Sequence, residues 1–183
     1  MTTTNDRYTP VAIALHWLIA LLVVGLWIVG STMEDYPDSI KWTAYGLHKA
    51  TGILVLTLTL VRLAWRATHK PPMLPERLPR WQKIASALTH YALYAILLAM
   101  PLSGWAMSSA GGYPVSVYGL FTLPNLVAKD KQLGEFFYET HELLANGILV
   151  LVAVHTIAAL LHHYYHKDNV LRRMLPARCS RNR

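Results

Sequence analysis

Residues 11–24 read VAIALHWLIALLVV, a run of hydrocarbon side chains that holds one imidazole, His16. Whether those side chains face a protein core or a bilayer decides the fold. A helix at the surface of a soluble protein carries a polar stripe, and this run carries none. Residues 10–31 also supply the roughly 20 apolar residues that a helix needs to cross a membrane. The run is longer than the apolar region of a cleaved signal peptide. Asp6 also cancels Arg7 just before it, so it reads as a retained helix.

Three more runs of this kind follow, at about 41–65, 84–108 and 138–164. Segments such as 53–61 and 147–154 are almost free of polar residues. The chain has 183 residues, 54% hydrophobic and only 15% charged, which is too apolar for an ordinary soluble domain. The expected fold is all-α, an integral membrane four-helix bundle forming a single domain over residues 1–183.

Lys and Arg near helix ends set the orientation. Arg7, then Arg66, Lys70, Arg77, Arg80 and Lys83, then Lys167, Arg172, Arg173, Arg178, Arg181 and Arg183 all fall on one side. The opposite connections hold Lys41 against Glu34, Asp35 and Asp38, and Lys129 with Lys131 against Asp130 and Glu135. Both termini are therefore expected in the cytoplasm, with the 1–2 and 3–4 connections outside. The net charge of +7 is this topology signal, so a nucleic-acid partner is rejected. Trp27, Trp42, Trp65, Trp81 and Trp105 fall near helix ends, as interfacial aromatics do. The four prolines of ATHKPPMLPERLPR, 67–80, make a stiff linker. GGYP, 111–114, reads as a turn in the long 3–4 connection.

The only cysteine is Cys179. That excludes an internal disulfide, cysteine-ligated zinc or iron–sulfur centres and covalent c-type haem. Histidine is abundant instead. His69 and His166 read as solvated, while His16, His48, His90, His141, His155, His162 and His163 lie in or near apolar runs. Ionisable side chains there mark function, or else a neutral ring hydrogen-bonded to the next helix. Depth divides them. His48 and His141 begin the second and fourth helices and so lie near the outer face. His155 follows His141 by 14 residues, about 21 Å along a helix and close to four full turns, so both rings project from one face. His16 and His155 lie in the inner half. Four residues after His16, His48, His141 and His155 come Ala20, Gly52, Ala145 and Ala159, small enough to leave room for a flat macrocycle. Tyr94 follows His90 and votes against His90.

Zinc and copper sites want more ligands, often a carboxylate or sulfur. Two imidazoles from two helices suit the axial positions of a haem iron, filling six-coordination and favouring electron transfer over oxygen activation. The stretches ALHWLIALLVVG, GLHKATGILVLTLTLVRLAWR, MPLSGW, THELLAN and VHTIAALLHHYYHKDNVLRRML, spanning about residues 7–176, resemble the bacterial cytochrome b561 family. The resemblance implies a four-helix protein of the bacterial inner membrane carrying two bis-histidine b haems. It matches His16 and His155 to the inner haem, and His48 and His141 to the outer one. It also implies electron exchange with ubiquinone. Some members are similar to enzymes that oxidise superoxide at the outer face, and others pass electrons the opposite way.

Under the superoxide reading, Lys49, Lys129 and Lys131 would steer the anion, against Glu139 and Glu142 nearby. His162 or His163 could bond a quinone carbonyl and deliver a proton, and the resemblance favours His162. Arg62 and Arg66, one turn apart, could pair with haem propionates. Two other functions compete. One is a haem b anchor subunit of a larger dehydrogenase or hydrogenase, whose sign would be extra docking segments. The other is a histidine-based proton or metal transporter, which would lack a Soret band.

Overall fold

The computed structural model describes residues 7–73 and 78–176; Arg77, Arg178, Cys179, Arg181 and Arg183 lie outside the described residues. The four expected helices form: α1 is Pro10–Thr32, α2 Asp38–Thr68, α3 Arg80–Ala110 and α4 Lys131–Tyr164. All four are long and apolar enough to cross a membrane. The protein is thus a four-helix membrane bundle, and both ends of the described chain lie at the end rich in Lys and Arg, the basic end.

The helix starts follow from local chemistry. Thr9 caps α1 by accepting from the Ala12 amide at 3.3 Å, and Pro10 fills the first turn, where a missing N–H costs nothing. Asp130 caps α4 by accepting from the Leu133 amide at 2.8 Å. That cap explains why α4 starts at Lys131 rather than where the apolar run begins near 138. Once a helix is capped, its ladder continues through polar residues that lie beyond the hydrocarbon. α2 and α3 outrun their apolar segments likewise, each entered from a proline, Pro37 and Pro79.

Few side chains are fully buried, and those between helices are mostly small: Ala50 and Thr59 on α2, and Ser103, Ala106, Ser109 and Ala110 on α3. Apolar side chains gain nothing by leaving lipid tails, so close backbone approach across small residues joins membrane helices. The large apolar residues point outward, Leu21 being 70% and Leu143 72% exposed, as a lipid-facing surface requires.

The 3–4 connection folds over the end opposite the basic one. Strands β1, Ser116–Val117, and β2, Phe121–Thr122, pair antiparallel with Val117 opposite Phe121. The turn between them has positive φ at Tyr118 (52°) and Gly119 (75°), as a type I′ turn demands. The hairpin is fastened to the bundle. The Tyr118 hydroxyl lies 3.0 Å from Thr51 Oγ1, the Trp105 indole donates to the Pro124 carbonyl at 3.0 Å, and the Leu126 amide donates to Ser109 Oγ at 3.1 Å. At the basic end, a short 3-10 turn at Arg172–Met174 returns the chain to α1. There the Trp17 indole donates to the Met174 carbonyl at 2.8 Å and Arg7 to the Leu175 carbonyl at 2.5 Å.

Candidate functional site

Near the hairpin end, His48 from α2 and His141 from α4 face each other with ring centres 6.3 Å apart and planes at 73°. The His141 ring is oriented by α3. Its Nδ1 lies 3.1 Å from the Met100 carbonyl and 3.1 Å from Ser103 Oγ, whose own proton goes to the Met100 carbonyl at 2.8 Å. Both partners can accept, so Nδ1 carries the proton and Nε2 keeps its lone pair for a ligand. His48 Nδ1 is buried without a hydrogen-bond partner among the described residues.

Two glycines make room for these rings. A Cβ at Gly104 would stand 2.9 Å from His141 Cε1, and one at Gly30 would stand 3.0 Å from His48 Cε1. Each imidazole therefore leans on bare backbone of the neighbouring helix. The segment MPLSGW thus acquires a physical content: Met100 and Ser103 orient His141, and Gly104 admits it.

Towards the basic end, His16 from α1 and His155 from α4 face each other at 6.1 Å with planes at 63°. α4 thus contributes one ring to each pair, as the 14-residue spacing requires. A third ring, His90 on α3, stands 5.3 Å from His155. Its Nδ1 donates to the Ser86 carbonyl one turn back, at 2.6 Å. The Tyr94 spacing had set His90 aside, yet helix packing brings it to this pair. Sequence spacing along one helix carries no information about which faces of different helices meet.

Arg62 lies at the same level. It donates through Nη1 to the Ala12 carbonyl at 2.7 Å and through Nε to the Tyr94 hydroxyl at 3.3 Å. Arg66 sits 5.9 Å over the Tyr94 ring. The three lysines do not gather at one place. Lys49 is half-buried beside His48 and donates to Ser108 Oγ at 3.2 Å and to the Pro114 carbonyl at 3.1 Å. The Lys129 stem passes Gly112. Lys131 is 91% exposed and 3.7 Å from Glu135, a pairing worth little in water. At the basic end His162 is half-buried, with its Nδ1 2.6 Å from Asp168 Oδ2. His163 turns its Nδ1 into a buried position without a partner among the described residues.

A membrane four-helix bundle with facing imidazole pairs at two depths belongs to the class of membrane electron-transfer cytochromes. The chain belongs to the prokaryotic cytochrome b561 family, whose profile matches residues 7–177. It is 37% identical over 177 residues to cytochrome b561 homolog 2 of Escherichia coli strain K12, covering 95% of this chain and 94% of that one. It is 33% identical over 175 residues to cytochrome b561 homolog 1 of the same organism, covering 94% and 99%. It is 31% identical over 173 residues to a Yersinia pestis protein named probable superoxide oxidase CybB, covering 94% and 97%.

The family implies haem b, and the residues present fit it. Two metal–imidazole bonds of about 2 Å each, plus the reach from each nitrogen to its ring centre, come to about 6 Å. The separations of 6.1 and 6.3 Å match that span. The Nδ1 bond of His141 supplies the orientation that a ligating imidazole needs. A Cβ at Gly52, one turn after His48, would meet nothing within 4 Å, so space exists beside that ring.

Proposed function

We propose that the chain works as one membrane domain over residues 1–183, a di-haem b oxidoreductase of the bacterial inner membrane. It takes electrons from superoxide at the periplasmic face and delivers them to ubiquinone near the cytoplasmic face. The basic end faces the cytoplasm, by the Lys and Arg distribution. The observation that carries this function is the pair of facing imidazole couples, His48 with His141 and His16 with His155, at two depths of one bundle.

Haem b held at each couple supplies a one-electron redox centre. Each couple would offer two imidazoles to the iron, a donor set that suits electron transfer rather than oxygen activation. The depth difference of about 21 Å sets the two centres in the outer and inner halves of the membrane.

The remaining residues take supporting roles. Lys49, fixed between Ser108 and Pro114 beside His48, holds a positive charge where an anionic substrate would approach. Lys129 and the solvated Lys131 add to that field at longer range. Arg62 and Arg66 would hold the carboxylates of a haem bound at His16 and His155. His162 bonds a quinone carbonyl at the basic end and gives it a proton. The balance is two superoxide, one quinone and two protons giving two oxygen and one quinol. The name of the Yersinia relative supports superoxide as donor; the family and membrane location support a lipid-soluble acceptor.

The test uses purified, air-oxidised protein with a steady superoxide source and excess oxidised ubiquinone, following haem absorbance and quinol together. We expect rapid haem reduction with accumulating quinol, both abolished by superoxide dismutase. Haem bands that respond to dithionite but ignore superoxide would instead indicate an electron-carrying anchor subunit that needs a protein donor.

A further inference from the structure

Beyond the last turn of α4 the chain makes a closure that the proposed function does not use. Lys167 adopts a left-handed conformation, φ 52°, although side chains other than glycine disfavour it. The turn brings Asp168 back onto His162 in two ways. The Asp168 amide donates to the His162 carbonyl at 3.1 Å, satisfying one of the carbonyls left free at the helix end. Its carboxylate Oδ2 meets the His162 Nδ1 at 2.6 Å. The other carboxylate oxygen, Oδ1, accepts from the Val170 amide at 3.0 Å, so the carboxylate cannot swing away. Both side chains are only 18% exposed. A carboxylate accepts and does not donate, so it fixes the proton on Nδ1. Nε2 is then the nitrogen left for a substrate.

We propose that Asp168 is the positioning residue of the quinone reaction: it locks the His162 tautomer and stabilises the imidazolium whose Nε2 proton passes to the quinone oxygen. This rests on the assignment of His162 to the quinone. Each reduction consumes two electrons, one from each reduced haem, and two protons. Nε2 donates each proton to a quinone oxygen and regains it from water at the cytoplasmic side, yielding quinol. Nδ1 keeps its proton throughout, held by Asp168. A hydrogen bond of this kind orients a ring and fixes which nitrogen carries the proton.

Asp168→Asn separates the two duties of the side chain. The amide oxygen can still cap Val170, and the shape is unchanged. Its NH2 group, however, donates to Nδ1, which forces the proton onto Nε2 and opposes an imidazolium. A neutral Nε2–H still holds a quinone carbonyl, so binding survives while proton delivery falls. The measurement is anaerobic: protein reduced with one dithionite equivalent per haem pair is mixed with a short-chain ubiquinone, and haem reoxidation is followed over a range of quinone concentrations.

For Asp168→Asn we expect the limiting rate to fall by about 10- to 100-fold, the effect of losing an orienting partner. The half-saturating quinone concentration should change by less than about threefold, and haem content and spectra should match the wild type. His162→Gln should be at least as slow, and adding Asp168→Asn to it should cost nothing further, because residues acting as one unit are not additive. A wild-type limiting rate in Asp168→Asn overturns the proposal, as does an equal further loss in the His162→Gln background. A wild-type rate in His162→Gln itself overturns the assignment of the quinone to His162, a failure distinct from that of Asp168 alone.

Discussion

At Gly104 a hydrogen stands where any other residue would put a carbon 2.9 Å from His141 Cε1. Real Cβ atoms do not come that close, and the ring cannot retreat without leaving Met100 and Ser103. Gly104→Ala should therefore displace His141 and release one haem, lowering the haem-to-protein ratio from two towards one in a pyridine haemochrome assay. Gly25→Ala serves as the control, since Gly25 is exposed and a Cβ there would meet nothing within 4 Å, and both haems should stay. Two haems retained in Gly104→Ala would refute the packing described here. The histidines themselves were legible in the sequence because an imidazole in a run of hydrocarbon has to be accounted for. Nothing in MPLSGW marks Gly104 as special, because a glycine reveals its purpose only when another helix is seen against it. Asp168 stayed hidden for a similar cause. It faces His162 only because Lys167 adopts a left-handed backbone, which no sequence pattern announced.

At the scale of elements, long apolar runs made the four helices legible, but their ends were not. α4 begins at Lys131 because Asp130 caps it, and a cap acts regardless of whether the first turns are greasy. This places Lys131 on a helix surface, paired with Glu135, and leaves residues 111–130 as the true 3–4 connection. The small hairpin there escaped notice because two-residue strands are too short for any alternation to show. The connection is also where orientation can be read directly. An alkaline phosphatase reporter inserted after Leu120, at the 80% exposed hairpin tip, should be active. The same reporter fused after Arg183 should be inactive. The reverse pattern would invert the assignment of superoxide and quinone to the two faces.

At the scale of the whole molecule, the bundle is built around α4. It offers His141 to α2 and His155 to α1 from a single face. That division by depth followed from helix rise and a 14-residue interval alone, and the ring separations agree with it. Helix periodicity could not show the convergence of three helices on His155, with His90 from α3 at 5.3 Å. His90 therefore gives the sharpest test of the ligand assignment. The decisive measurement is the haem-to-protein ratio, with optical spectra, of the wild type and of His16→Ala, His48→Ala and His90→Ala. We expect two haems in the wild type, one in each of His16→Ala and His48→Ala with different spectra remaining, and two in His90→Ala. One haem in the wild type, or the loss of one in His90→Ala, would contradict two haems held by His16 with His155 and His48 with His141.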